Sequence, residues 1–421
     1  MNGNGRSMMD WPELHGTPFE SLMLVLLASF LVPIIISRWK RVQMPIVVGE
    51  IIAGIILGPS LLGIIDGQGE VFDFLSEFGL AYLMFLAGIE IDFSLLGRMY
   101  KKTEVEGISK ISNPITIGLI TFILTLFLSI IISQELAKRG LVENEWMLAL
   151  ILSTTSLGVV LPVLKEKNLS DTIFGQTVLM SALMADFLTM LLISLLATYL
   201  EGGLNIEMLL VLFLFVALAI LYRTGILMSK SRRIGKVVTE LSSATTQIRL
   251  RTCLALLVGF IVLAEMLNSE MILGAFFAGI VISLVSEGPE GKIEKELEAF
   301  GFSFFIPIFF ILVGVGFDIG ELTSSDEALL LVPILLIGAF IVKFVPVLFF
   351  RFFFTWKETI AAGSLLSARL SLIIAASIIA LELELITPAV NSAIILVAII
   401  TVTIAPMMFA YLMPDLAKEE E

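Results

Sequence analysis

The chain has 421 residues, 58% apolar and only 15% charged, with a mean hydropathy of +1.02. Soluble domains run at roughly 45–50% apolar, so this composition excludes a disordered chain, a collagen or a soluble globule, and makes lipid the solvent. A single cysteine (Cys253) and a single histidine (His15) exclude a disulfide scaffold and a cysteine- or histidine-cluster metal site, and the net charge of −13 argues against a nucleic-acid partner.

Thirteen stretches are apolar enough to span a bilayer: 20–37, 44–63, 74–92, 113–133, 146–165, 171–199, 204–222, 246–268, 270–286, 297–317, 328–350, 359–381 and 388–412. The first is not a signal peptide, because its leader carries Asp10, Glu13 and Glu20 instead of a basic region. The connections are short, and the tail 413–421 is too small for a soluble domain. With residues 1–19 placed outside, the alternating spans put 21 of the 26 Lys and Arg in inner loops and only Arg6, Lys138 and Arg139 outside. That asymmetry predicts an outer N-terminus and a cytoplasmic C-terminus in the plasma membrane.

Two segments repeat. VGEIIAGIIL (48–57) matches LGAFFAGIVI (273–282) through Gly49, Ala53 and Gly54 at an offset of 225. FLAGIEID (85–92) matches ILVGVGFD (311–318) through Gly88 and Asp92 at an offset of 226. The offset shifts the pattern by seven spans. An odd shift turns the second copy upside down. The expected architecture is therefore an all-α polytopic membrane protein of about 13 transmembrane helices in two six-helix inverted-topology repeats: 20–199 and 246–412, joined by a linker helix at 204–222. Inverted repeats are a common transporter construction, with the binding site near the midplane. Small-residue helix packing is the plainer explanation of the glycines.

Charge at mid-depth is costly and usually functional. Glu50, Glu90, Asp92, Glu265 and Asp318 fall nearer span ends, which leaves Asp186, Lys343 and Arg369 at span centres. A carboxylate with adjustable access to water can hold a proton or a bare monovalent cation, but not both, and that exclusion is the simplest chemistry for exchange. The structural alternative is an Asp capping a broken neighbouring helix or paired permanently with Lys343. Lys343 can neutralise a carboxylate when no cation is bound. Arg369, which stays protonated, reads as an electrostatic clamp. Span five carries Ser153, Thr154, Thr155, Ser156 and Gly158 at its centre with Pro162 after them, and span twelve carries Gly363, Ser364, Ser367, Arg369 and Ser371. Polar, helix-breaking residues at depth predict one interrupted helix per repeat, lining a cavity whose carbonyls and hydroxyls suit a hard monovalent cation.

The segments MPIVVGEIIAGIILGPSLLG (44–63), FLSEFGLAYLMFLAGIEID (74–92), STTSLGVVLPVLKEK (153–167), ILGAFFAGIVIS (272–283) and FFIPIFFILVGVGFDI (304–319) resemble the monovalent cation:proton antiporters, the second family of the Na+/H+ exchanger superfamily. The resemblance covers about residues 20–412. It implies a dimerisation part, hence a homodimer, and a core part in which two interrupted helices cross. It implies that Asp186 is the ion-carrying carboxylate and holds the monovalent cation, with Lys343 opposite and Thr154 and Thr155 on the first broken helix. Two departures stand out. Ala185 occupies the position where relatives carry Asp, Asn or Gln, which points to Lys343 pairing with Asp186 itself and to one-for-one exchange. Leu370 stands where Gly often follows the span-twelve Arg. A nucleotide-binding regulatory domain, appended in many potassium-efflux relatives, would have to be a separate chain.

The function expected from these residues is secondary active antiport of Na+ or K+ against H+ by alternating access, with no cofactor and with the lipid bilayer as the partner. The alternatives are a Na+-coupled organic-acid transporter, which needs a larger cavity, and a gated cation channel or sensor. An enzyme is the weakest reading: there is no histidine at depth, no acidic metal motif and no nucleophile–base pair.

Overall fold

The computed structural model describes residues 18–38, 45–65, 67, 69–90, 113–170, 172–202, 246–267, 270–285, 292–323 and 326–413. The expected linker helix 204–222, the basic loops 98–110 and 223–245, Asp92, and nearly all of the two terminal segments lie outside the described residues. Within them the elements are α-helices, two short π and 3-10 turns, and connecting loops.

The first series is α1 (Pro18–Arg38), α2 (Ile46–Leu57), α3 (Glu70–Ile89), α4 (Pro114–Lys138), the half-helices α5 (Glu145–Ser153) and α6 (Leu157–Glu166), and α7 (Ile173–Gly202). The second is α8 (Thr246–Met266), α9 (Met271–Val285), α10 (Lys292–Phe300) continuing into α11 (Ile306–Val315), the short α12 (Ile319–Thr323), α13 (Asp326–Val347), the half-helices α14 (Trp356–Leu366) and α15 (Ser371–Glu382), and α16 (Pro388–Leu412). Between α10 and α11 the turn Gly301–Phe305 winds as a π-turn, just before Pro307, which has no N–H to give the helical ladder.

Among the described residues, eight helices are long and apolar enough to cross a membrane, or nine with the bent α14–α15 pair taken as one span. Helices α2 and α9 are shorter, at 12 and 15 residues. The outward faces are apolar: Phe30, Phe127, Phe352 and Tyr411 stand exposed, as a lipid solvent requires.

Local sequence starts these helices where they begin. The Asn113 and Asn144 side chains accept from Ile115 N (3.0 Å) and Met147 N (2.9 Å) at the starts of α4 and α5. Thr355 and Glu358 close a capping box on α14, and Thr387 precedes Pro388 at the start of α16. Each cap satisfies amides that the first helical turn leaves without an intrahelical partner.

The repeat-matched glycines are where helices touch backbone to backbone. A Cβ on Gly54 would stand 2.9 Å from Gly314 Cα and overlap the Ile311 carbonyl oxygen. A Cβ on Gly279 would stand 2.9 Å from Gly88 Cα and overlap the Phe85 carbonyl oxygen. So α2 seats on α11 and α3 seats on α9. The sequence offsets carry Gly54 to Gly279 and Gly88 to Gly314, and under that exchange the first contact becomes the second.

Candidate functional site

The α5–α6 helix breaks over Thr154–Ser156 and the α14–α15 helix over Ser367–Leu370, with a bend of 41° at the second break. A break exposes the last carbonyls of one half-helix and the first amides of the other, and these ends carry partial negative and positive charge. Most of the polar residues singled out from the sequence go to those ends.

The carbonyl ends take the cations. Lys343, on α13, donates to the Ser153 carbonyl at 2.7 Å and to Thr155 Oγ1 at 2.7 Å. Arg369 donates to the carbonyls of Leu152 (2.9 Å), Ala339 (2.8 Å) and Ser367 (3.1 Å). Both side chains are almost completely buried. Thr155 Oγ1 in turn donates to the Leu366 carbonyl, the last of α14, at 3.3 Å. The two breaks are thus tied directly to each other and, through both cations, to α13.

The amide end takes the carboxylate. Asp186, on α7, accepts from Leu157 N, the first amide of α6, at 2.9 Å through Oδ2. Its Oδ1 is buried and has no hydrogen-bond partner among the described residues. A small cavity of about 10 Å³, room for one water-sized species, lies beside it. Ala87 of α3, Leu157 at the start of α6 and Ser371 at the start of α15 line that cavity with Asp186. The first residue of the second half of each broken helix therefore borders the same small cavity as Asp186, whose remaining lining is mostly apolar.

The capping role and the open oxygen coexist, so the structural alternative weighed for Asp186 describes only half of the group. The direct pair expected between Lys343 and Asp186 does not form: both ammonium bonds go to the break instead. The physical reason is the carbonyl end of α5, which presents an unsatisfied acceptor and a negative dipole end to the ammonium. Thr154 Oγ1 donates back to the Ile151 carbonyl at 2.8 Å, which leaves its oxygen lone pairs for an acceptor role. Ala185 is buried and Leu370 has φ −145°, a negative value that demands no glycine.

The structure adds three contributors that residue type alone did not single out. The Ser153 carbonyl and the Leu157 amide are backbone groups, and only the position of the break identifies them. Glu90 follows α3 directly, and its carboxylate comes within 3.5 Å of the place a Cβ would take on Gly158, in the first turn of α6. Its position near a span end is what hid it.

Two interrupted helices, cross-tied and bordering a buried carboxylate inside an apolar helical assembly, define a polytopic membrane protein with a small buried cavity at its helix breaks. Residues 26–413 match the family described as sodium/hydrogen exchanger, transmembrane, and the chain belongs to that family of transporters. The Bacillus subtilis protein YjbQ is 36% identical over 405 residues, 96% of this chain; the chain spans 65% of that relative's length. The Na(+)/H(+) antiporter of Enterococcus hirae is 29% identical over 406 residues, covering 93% of this chain and 97% of its own. The fold is similar to that of the sodium proton antiporter MjNhaP1 from Methanocaldococcus jannaschii, with a TM-score of 0.63 at 16% identity over 94% of this chain and 98% of the other.

Proposed function

We propose that this protein is an antiporter that exchanges Na+ or K+ for H+ by alternating access, with Asp186 as the group that carries either the cation or the proton. The observation that carries this reading is the divided carboxylate. One oxygen is committed to the α6 amide, the other is buried without a hydrogen-bond partner among the described residues, and the residue lines a cavity the size of one water. A proton or a desolvated monovalent cation satisfies that oxygen; an organic acid does not fit the space. Thr154 and Thr155, on the same break, are the proposed hydroxyl ligands once the site opens; in this arrangement Thr155 Oγ1 is held by Lys343 and the Leu366 carbonyl. Lys343 and Arg369 neutralise the carbonyl ends while holding the breaks in place.

Charge arithmetic favours one-for-one exchange. With Ala185 before it, Asp186 is the single carboxylate beside the cavity, and one bound proton or one bound cation leaves the same net charge. The glycine contacts that exchange under the sequence offsets support two inverted repeats; thirteen spans with 204–222 as the linker complete this reading. Such a pair of repeats supplies two near-equivalent arrangements, one open to each side. In this reading the protein is a homodimer of the plasma membrane, N-terminus outside, with no cofactor.

The test is fluorescence dequenching of an acid-loaded dye in everted vesicles, with Na+, K+ and Li+ added across a range of pH. Asp186→Asn keeps an oxygen for the Leu157 amide, so it is expected to fold, insert and lose exchange. An Asp186→Asn protein that transports at the unaltered rate refutes the assignment.

A further inference from the structure

We propose that Glu90 is a second carboxylate on the cation's route, placed between one face of the membrane and Asp186, where it concentrates cations at that mouth only. The proposal rests on the exchange reading above.

Glu90 is held at the end of α3 by its own N–H, which donates to the Leu86 carbonyl at 3.0 Å. Its two carboxylate oxygens lie 3.5 and 3.8 Å from the Cβ position of Gly158. Gly158 is the second residue of α6, and the first, Leu157, is the amide donor to Asp186. The two carboxylates therefore meet the same helical turn. One turn before Glu90 on α3, Ala87 lines the cavity beside Asp186.

Among the described residues, Glu90 keeps partial exposure beside the start of α6, where Gly158 is exposed. From Gly158 an exposed stripe continues along α6 through Pro162, Lys165 and Glu166, at the spacing of one helical face. The absence of a side chain at Gly158 leaves room in front of the carboxylate.

The electrostatics call for a cation. Among the described residues, Asp186, Glu298 of α10 and Lys165 of α6 are the charged groups that act on Glu90. The end of α3 is the negative end of a helix dipole, where a carboxylate is unfavourable. Asp186 and Glu298 add like charge. Lys165 and the first turn of α6 offset part of this, and a passing cation offsets more.

The repeat makes the device one-sided. At the offset of 226 that matches Gly88 to Gly314, the counterpart of Glu90 is Gly316, which has no side chain. The inverted copy therefore has no carboxylate at the position that faces the broken helix in the first copy, and its nearest one, Asp318, caps the Glu321 amide. In the positive-inside orientation, Glu90 and Lys165 both belong to the cytoplasmic side.

The experiment compares the whole protein, Glu90→Gln, Glu90→Asp and Asp186→Asn in everted and right-side-out vesicles, with Na+ or K+ presented to each face. Glu90→Gln is expected to raise the apparent KM for the cation about tenfold, at the low end of field focusing by a charged cleft. The rise is expected only for cation presented to the cytoplasmic face, with Vmax retained. It is expected to shrink as choline chloride is added, and Glu90→Asp is expected to restore most of the affinity. A KM unchanged at both faces, raised equally at both, or a Vmax lost at constant KM overturns the proposal. Should Glu90→Gln fail to insert, Gly158→Lys sets an ammonium against Glu90 and is expected to give the same one-sided rise; no rise overturns the proposal. Wild-type vesicles that exchange nothing overturn the exchange reading and this inference with it. Active wild type, inactive Asp186→Asn and a Glu90→Gln indistinguishable from wild type overturn this inference alone.

Discussion

Replacing Lys343 by Met removes the ammonium that clamps the first helix break while keeping a side chain of similar length in its place. Two charge-assisted bonds of 2.7 Å are lost, to the Ser153 carbonyl and to Thr155 Oγ1. Each is worth about 1.5–3 kcal/mol. Against this stands the cost of burying an ammonium, several kcal/mol per ion even after relaxation. Thr155 keeps its bond to the Leu366 carbonyl, so the group left without a partner is the Ser153 carbonyl, at about 1–3 kcal/mol. The net expectation is a loss of about 2 kcal/mol, close to that last contribution, because the bonds and the desolvation largely cancel. The assay is thermal unfolding of the purified protein in detergent, run as a double-mutant cycle with Thr155→Val. Because the two side chains share one hydrogen bond, the paired loss is expected to fall short of the sum of the single losses by about 1 kcal/mol. Unchanged melting in Lys343→Met together with strict additivity would refute the clamp.

Two other perturbations follow from the same geometry. Arg369→Lys leaves a point charge where a planar fork spans the Leu152, Ala339 and Ser367 carbonyls, so at least one is stranded. About 1–3 kcal/mol of stability and most of the exchange activity are expected to go, read by melting and by vesicle flux; full retention of both would show that one bond suffices. Gly54→Ala and Gly279→Ala each force a methyl into a facing helix backbone, and each is expected to cost about 1–3 kcal/mol. Gly259→Ala, with nothing within 4 Å of its Cβ position, is expected to melt at or slightly above the wild-type temperature. Equal behaviour of the three would deny that the repeat glycines are close-packing points.

The apolar helices among the described residues and the place of each helix break are properties of local composition. Twenty apolar residues in a row cannot rest in water, and Ser, Thr and Pro at depth cannot complete a helix unaided, so span five divides at Thr154–Ser156 and span twelve at Ser367–Leu370. The paired glycines were also readable, because close backbone approach tolerates no Cβ at either copy. Which charge meets which partner was not. Asp186 and Lys343 lie at span centres and have opposite charge, yet the ammonium goes to the Ser153 carbonyl and the carboxylate to the Leu157 amide. Those partners are backbone groups that every residue carries, and only the tertiary placement of a helix end makes them strong acceptors and donors. Glu90 shows the same division: depth along its own span sets it aside, whereas the packing of α3 against the start of α6 brings it to the turn that holds Asp186.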